Sequence, residues 1–145
     1  MDAADLARRL IEKVWATADR EVAGEIVAKD VVVHVSRSVG PGPEGQAAVG
    51  DYWRAGFPDG RWSADDAFGV GDRAAVRWRM QGRHDGTFEG VPATREDVVL
   101  NGIAIVRVEN GKIAEIWHAE DLYGLFDRIG ARPEANVAAG SVRGG

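Results

Sequence analysis

Arg73-Ala-Ala-Val-Arg-Trp-Arg-Met-Gln-Gly-Arg-His84 alternates almost without fault. Ala74, Val76, Trp78, Met80, Gly82 and His84 fall on one parity; Arg77, Arg79, Gln81 and Arg83 fall on the other. Successive side chains of a strand point to opposite faces, so a period of two predicts a strand with one face buried and one face charged. Residues 98–108 repeat the pattern, with Val98, Leu100, Gly102, Ala104, Val106 and Val108 on the inward parity. Gly102 and Ala104 are small, which leaves space open at the middle of this strand. The same count through the last strand puts Ile113, Glu115, Trp117, Ala119 and Asp121 on one face and His118 on the opposite, outer face.

Working outward, strands fit 61–70, 73–84, 95–109 and 112–120, joined by Gly71-Asp72, a longer loop at 85–94 and Asn110-Gly111. Asn-Gly is a strong hairpin signal because both central residues must tolerate positive φ. Upstream, Leu6, Leu10, Val14 and Ala18 recur every four residues, with Ile11 and Trp15 widening the stripe, and predict an amphipathic helix over 3–18. A shorter helix is expected at 21–28, and the β-branched run Val31–Val35 reads as a strand. Gly40–Gly45 is a loop by composition, helix returns at about 45–56, and Pro58-Asp59-Gly60 breaks it. A final helix is expected from Asp121 to Gly130, closed by glycine. Residues 131–145, rich in Ala and Gly, are expected to form a mobile tail. Helices followed by consecutive antiparallel strands give one α+β domain over residues 1–130: a curved sheet with helices on one face.

Composition narrows the chemistry. The chain has 145 residues and a formal charge of −5, with no basic excess to neutralise phosphates, so nucleic-acid binding is not expected. Cysteine is absent, which excludes disulfides, thiolate nucleophiles and Cys-based metal sites. Three histidines, His34, His84 and His118, show no i, i+4 pair, so no metal site is expected. No apolar run is long enough to span a bilayer and the N-terminus lacks the pattern of a signal peptide, so no membrane association and a cytoplasmic location are expected. Five tryptophans are many for one small domain. Trp rings fill cores well and also line pockets for flat apolar ligands.

One stretch carries a family likeness: Gly82-Arg-His-Asp-Gly-Thr-Phe-Glu-Gly-Val-Pro-Ala-Thr-Arg95 resembles the G-x-H-x-G-x-[FL]-x-G-x-P-x-T-x-R signature of SnoaL-like polyketide cyclases, a branch of the nuclear transport factor two-like fold. Arg107-Val-Glu-Asn-Gly-Lys-Ile113 resembles the family's R-x-x-[DN]-G-K-I hairpin. The likeness continues through Glu115, Trp117, Asp121, Gly124, Leu125 and Gly130, and upstream in Phe57-Pro58-Asp59 and Gly71-Asp72. It implies a cone-shaped, curved antiparallel sheet with the N-terminal helices packed over its concave face, enclosing a pocket. It also implies a homodimer.

The activity implied is that of a cofactor-independent cyclase or isomerase acting on a small, apolar, polyketide-like substrate. In the cyclases that this chain resembles, the aspartate at the position of Asp121 takes a proton from the carbon between two carbonyls. A carboxylate among Trp117, Ala119 and Tyr123 would be desolvated, which suits proton transfer. Asp121 is equally a good N-cap for the last helix, and the two roles can coexist. His84, on the inward parity, is a second catalytic candidate, against a structural His tied to the following loop. His34, which ends the first strand, is a third, against a His satisfied by protein. Trp15, Trp53, Phe57, Trp78, Met80, Ala104 and Trp117 are expected pocket walls, with core packing as the alternative for the aromatic ones. The family's aldol-type cyclases carry a histidine where this chain has Ala104, so another donor must serve here. An epoxide hydrolase of the limonene type ranks lower because the third strand offers no inward Arg; a non-catalytic binding protein remains an alternative.

Overall fold

The computed structural model describes residues 1–130, so the expected tail at 131–145 lies outside the described residues. Asp2 opens α1 (Ala3–Arg9) with a capping box, its side chain accepting the Asp5 N–H while Asp5 reaches back to the Asp2 N–H. The helix runs on into a π-helical stretch, Leu10–Trp15. Asp19 caps α2 (Arg20–Ile26), which passes directly into β1 (Val27–His34). A Gly-Pro entry starts α3 (Gly42–Gly56), where Pro43 occupies a first-turn position that needs no N–H donor. Four further strands follow: β2 (Arg61–Val70), β3 (Arg73–Arg83), β4 (Asp97–Glu109) and β5 (Lys112–Glu120). Helix α4 (Leu122–Arg128) closes the described chain with Gly130 at φ 83°.

The sheet order is β1-β5-β4-β3-β2. Three pairings are antiparallel, but β1 lies parallel to β5, so the sheet is mixed rather than wholly antiparallel. The reason is connectivity: α3 and three strands intervene before β5 returns to the free edge beside β1, and β5 returns in the direction of β1. The Asn110-Gly111 turn forms as its residues predict, with φ of 54° and 77°. The helices cover one face of the sheet, and the core lies between them and the inward parities of β3 and β4. Leu6, Leu10, Ile11 and Val14 meet Val76, Trp78, Met80, Leu100 and Val106 there, all essentially without solvent contact. No helix among the described residues is long and apolar enough to cross a membrane.

The register shifts in three of the four strand pairings, between Val27 and Val32 of β1 and at single extra residues in β2 and β5. One extra residue, Asp65, interrupts β2 between the pairs Ala64–Trp78 and Asp66–Arg77. The other is Ala114 in β5, between the pairs Val108–Ile113 and Arg107–Glu115. A bulge adds a residue to one strand only, so every side chain beyond it moves to the other face.

Candidate functional site

The Ala114 bulge corrects the parity count for β5. Beyond it, Ile116, His118 and Glu120 face inward, in register with Val106, Ala104 and Gly102, while Trp117 and Ala119 face out. His118 is therefore interior: its side chain is 4% exposed and its ring packs 4.6 Å from Trp15 and 5.4 Å from Trp78. Glu120 is deeper still, with a side chain 1% exposed. A carboxylate so placed needs a counter-charge. Arg37 provides it, from the irregular segment between β1 and α3, pairing Nη1 with Glu120 Oε2.

These three groups form one chain of contacts. His118 Nε2 lies 3.4 Å from Glu120 Oε1, and the far face of the Arg37 guanidinium lies over Tyr52 (5.2 Å) and Trp53 (5.4 Å). Tyr52 Oη donates to Glu89 Oε2, tying α3 to the loop before β4. Burial, then the charge of Arg37, pushes His118 down to about 3, so its imidazole is neutral at neutral pH. Burial also lowers Arg37 from its usual value, opposed by Tyr52 and Glu89. Burial and the bond to Glu89 raise Tyr52, which stays a neutral phenol.

Trp78 owes its position to Gly102. A Cβ at Gly102 would sit 2.3 Å from Trp78 Cζ2, so the indole lies flat across the glycine, in the row that pairs Trp78, Gly102 and Glu120 across three strands. Trp15 is anchored differently, its N–H donating to Gln46 Oε1 at 2.9 Å.

Of the expected pocket walls, Trp15, Trp53, Phe57, Trp78, Met80 and Ala104 are all buried on the inner side. Trp117 is not: it lies on the outer face, stacked on His34 at 5.4 Å under the Arg73 guanidinium. His34 is half exposed there and bonds Glu115 Oε2 at 2.7 Å. His84 is buried, but its Nδ1 accepts the Thr94 N–H at 3.2 Å and meets Thr94 Oγ1 at 2.9 Å, tying strand to loop. Asp121, expected to be desolvated, is exposed; it accepts the Gly124 N–H at 2.9 Å as the N-cap of α4. It borders two grooves, of about 870 and 420 Å³, the larger lined also by Gly82, Val98 and Leu125.

Arg37 and Glu120 escaped the sequence reading. Ser36-Arg37-Ser38 has no periodicity to orient it, and Glu120 sits on the outward parity until the bulge is counted. Arg37 also removes the argument against an interior Arg, which rested on the third strand alone.

A family model described as SnoaL-like polyketide cyclase matches residues 5–129. Among solved structures, IdmH from Streptomyces antibioticus, assigned as a polyketide cyclase, is 27% identical, with TM-score 0.75, covering 90% of this chain and 99% of that one. TsrD from Streptomyces laurentii is 26% identical, with TM-score 0.76 and coverage of 88% and 93%. A protein from Jannaschia sp. CCS1 assigned as a SnoaL-like polyketide cyclase is 26% identical, with TM-score 0.74 and coverage of 89% and 92%. No curated protein matches the chain.

Proposed function

The chain belongs to the SnoaL-like polyketide cyclase family, and from that premise we propose that it is a cofactor-independent cyclase or isomerase of a polyketide-type intermediate, with Glu120 as its acid/base. The observation that carries this reading is the buried Glu120 carboxylate between His118 and Arg37 in an otherwise aromatic interior. A neutral ligand with an acidic carbon between two carbonyls gives its proton to Glu120. The carbon–hydrogen bonding pair then becomes the enolate, whose oxygen takes over the Arg37 cation. Total charge inside is unchanged, so no new ion is buried. With neutral His118 beside it, Glu120 returns the proton to the alkoxide formed when the enolate attacks a second carbonyl, or to carbon in an isomerisation. Asp121, to which the family likeness points, is less suited to this step: it is exposed and already accepts a cap bond.

The test uses proton–deuterium exchange at the acidic carbon of ethyl benzoylacetate, followed by NMR. Wild type should accelerate exchange, and Glu120→Gln should lower the protein-dependent rate about 100-fold or more, the usual contribution of a positioned base. Full exchange activity in folded Glu120→Gln would remove the assignment.

Arg37 also favours a second reading. An interior cation between Glu120 and the Tyr52–Glu89 pair is an arrangement that could activate water against an epoxide. Conversion of limonene oxide to its diol by wild type, lost in Glu120→Gln, would select it over the cyclase. We further propose a homodimer through the outer sheet face, where Val32, Phe68, Val99, Ile103 and Ile105 stand exposed.

A further inference from the structure

The proposed reaction site is closed. The side chains of Glu120 and His118 are 1% and 4% exposed, and Trp15, Trp53 and Trp78 around them are buried. A carbon acid reaches Glu120 only if one wall moves, and the walls beside the sheet are not equally fixed. Helix α1 buries Leu6 and Ala7 in the core and is capped at its start. The loop at 85–94 is held three ways. Asp85 and Gly86 both donate to the Gly56 carbonyl, Phe88 packs on Tyr52, Trp53 and Phe57, and Glu89 accepts from Tyr52.

The segment between β1 and α3 differs from both. Among the described residues, the backbone of Ser36–Gly40 takes part in no hydrogen bond. A segment with no backbone hydrogen bonds and few buried apolar contacts opens locally at low free energy. Its burial alternates: Val35, Arg37 and Val39 are half-buried, while Ser36, Ser38 and Gly40 are exposed. It therefore lies as an extended strap, held inward by Val39 against the core and by Arg37 on Glu120. Both ends are fixed. The near end continues β1, where His34 bonds Glu115, and at the far end the Gly40 carbonyl fills the place where Gly45 has no Cβ. Arg37, with a side chain 18% exposed, is also the most exposed member of the Arg37–Glu120–His118 chain. In a buried ion pair, attraction and desolvation nearly cancel, so an Arg37 that leaves with the strap exchanges the pair for hydration of both groups.

We infer that Ser36–Gly40 is the gate of the interior: the strap swings outward between its fixed ends, draws Arg37 off Glu120 and from over Tyr52 and Trp53, and admits the ligand. Closing returns Arg37, so the cation that meets the enolate is in place only when the ligand is enclosed. This rests on the interior being the reaction site, as proposed above, and adds its route of entry.

The chain has no cysteine, so a single one placed in the interior reports access from solvent. Ala104 pairs with His118 across β4 and β5, Ala7 lies on α1, and both are 0% exposed. Ala104→Cys and Ala7→Cys are each treated with methyl methanethiosulfonate, a small neutral reagent, under native conditions, and labelling is followed by intact mass. Ala104→Cys should react at least about tenfold faster than Ala7→Cys, because the strap opens locally without global unfolding. Arg37→Met combined with Glu120→Gln removes the latch from both sides and leaves no unpaired charge. It should speed labelling of Ala104→Cys about tenfold further and leave Ala7→Cys within about twofold. Should that combination fail to fold, Val39→Ala loosens the strap outside the ion pair and should produce the same split. Equal rates at the two cysteines, or an acceleration shared by both, would overturn the gate. The catalytic proposal fails separately, through retained exchange in Glu120→Gln, so either can fall while the other stands.

Discussion

Replacing Asp121 by Ala removes the acceptor for the Gly124 N–H, and losing such an N-cap costs about 1 kcal/mol. A thermal melt of Asp121→Ala should show that loss, while proton exchange stays within about twofold of wild type. Glu120→Gln should instead lose the exchange activity. The adjacent positions divide the two roles that the sequence assigned together to residue 121. Capping by Asp121 was legible, because Asp before an apolar helical run is a local signal. The interior carboxylate was not, because its orientation depends on a bulge six residues earlier. His84 likewise had both roles open, and its Thr94 bonds support the structural one.

At the scale of the elements, β3 and β4 follow their sequence patterns residue for residue. Their alternation is long, and neither contains a bulge, so parity is preserved across both. Strand β5 departs from its pattern because Ala114 looks like any other strand residue, and nothing in its side chain marks the extra position. Arg37 was hidden for a different reason: an irregular segment has no period, and only the tertiary fold carries it to Glu120. Strand β1 was expected to be short, and its parallel pairing with β5 is a long-range contact that no local signal encodes. Gly102 offers a test of the β3–β4–β5 row. Gly102→Ala forces a methyl against the Trp78 ring, and overpacking of this kind costs about 1–3 kcal/mol. The near-UV circular dichroism of the tryptophans should change; an unaltered spectrum would mean that the indole does not lie on the glycine.

For the whole molecule, pH reports on the interior. His118 is held at about 3 in the fold, below its ordinary 6.5, so the unfolded chain binds a proton that the folded chain refuses. Stability is therefore complete above about pH 6.5 and declines as pH falls toward 3, by up to about 1.4 kcal/mol per pH unit. The carboxylates Glu44, Asp65 and Glu115 are lowered chiefly by hydrogen bonds to Arg20, Ser63 and His34 respectively, and act in the same direction only below about pH 4.5. Denaturant midpoints between pH 6.5 and 4.5 should fall in wild type and flatten in His118→Phe. On the outer face, Ile103→Glu together with Ile105→Glu should convert the proposed dimer to monomer in sedimentation, without lowering the intrinsic fold stability by more than surface substitutions do. Proton transfer in the interior falls to one buried carboxylate, Glu120. Side-by-side exchange rates for wild type, Glu120→Gln and Asp121→Ala on ethyl benzoylacetate test that most directly. The expected result is a loss of about 100-fold in the first variant and almost none in the second; activity that survives at Glu120→Gln and vanishes at Asp121→Ala would contradict it.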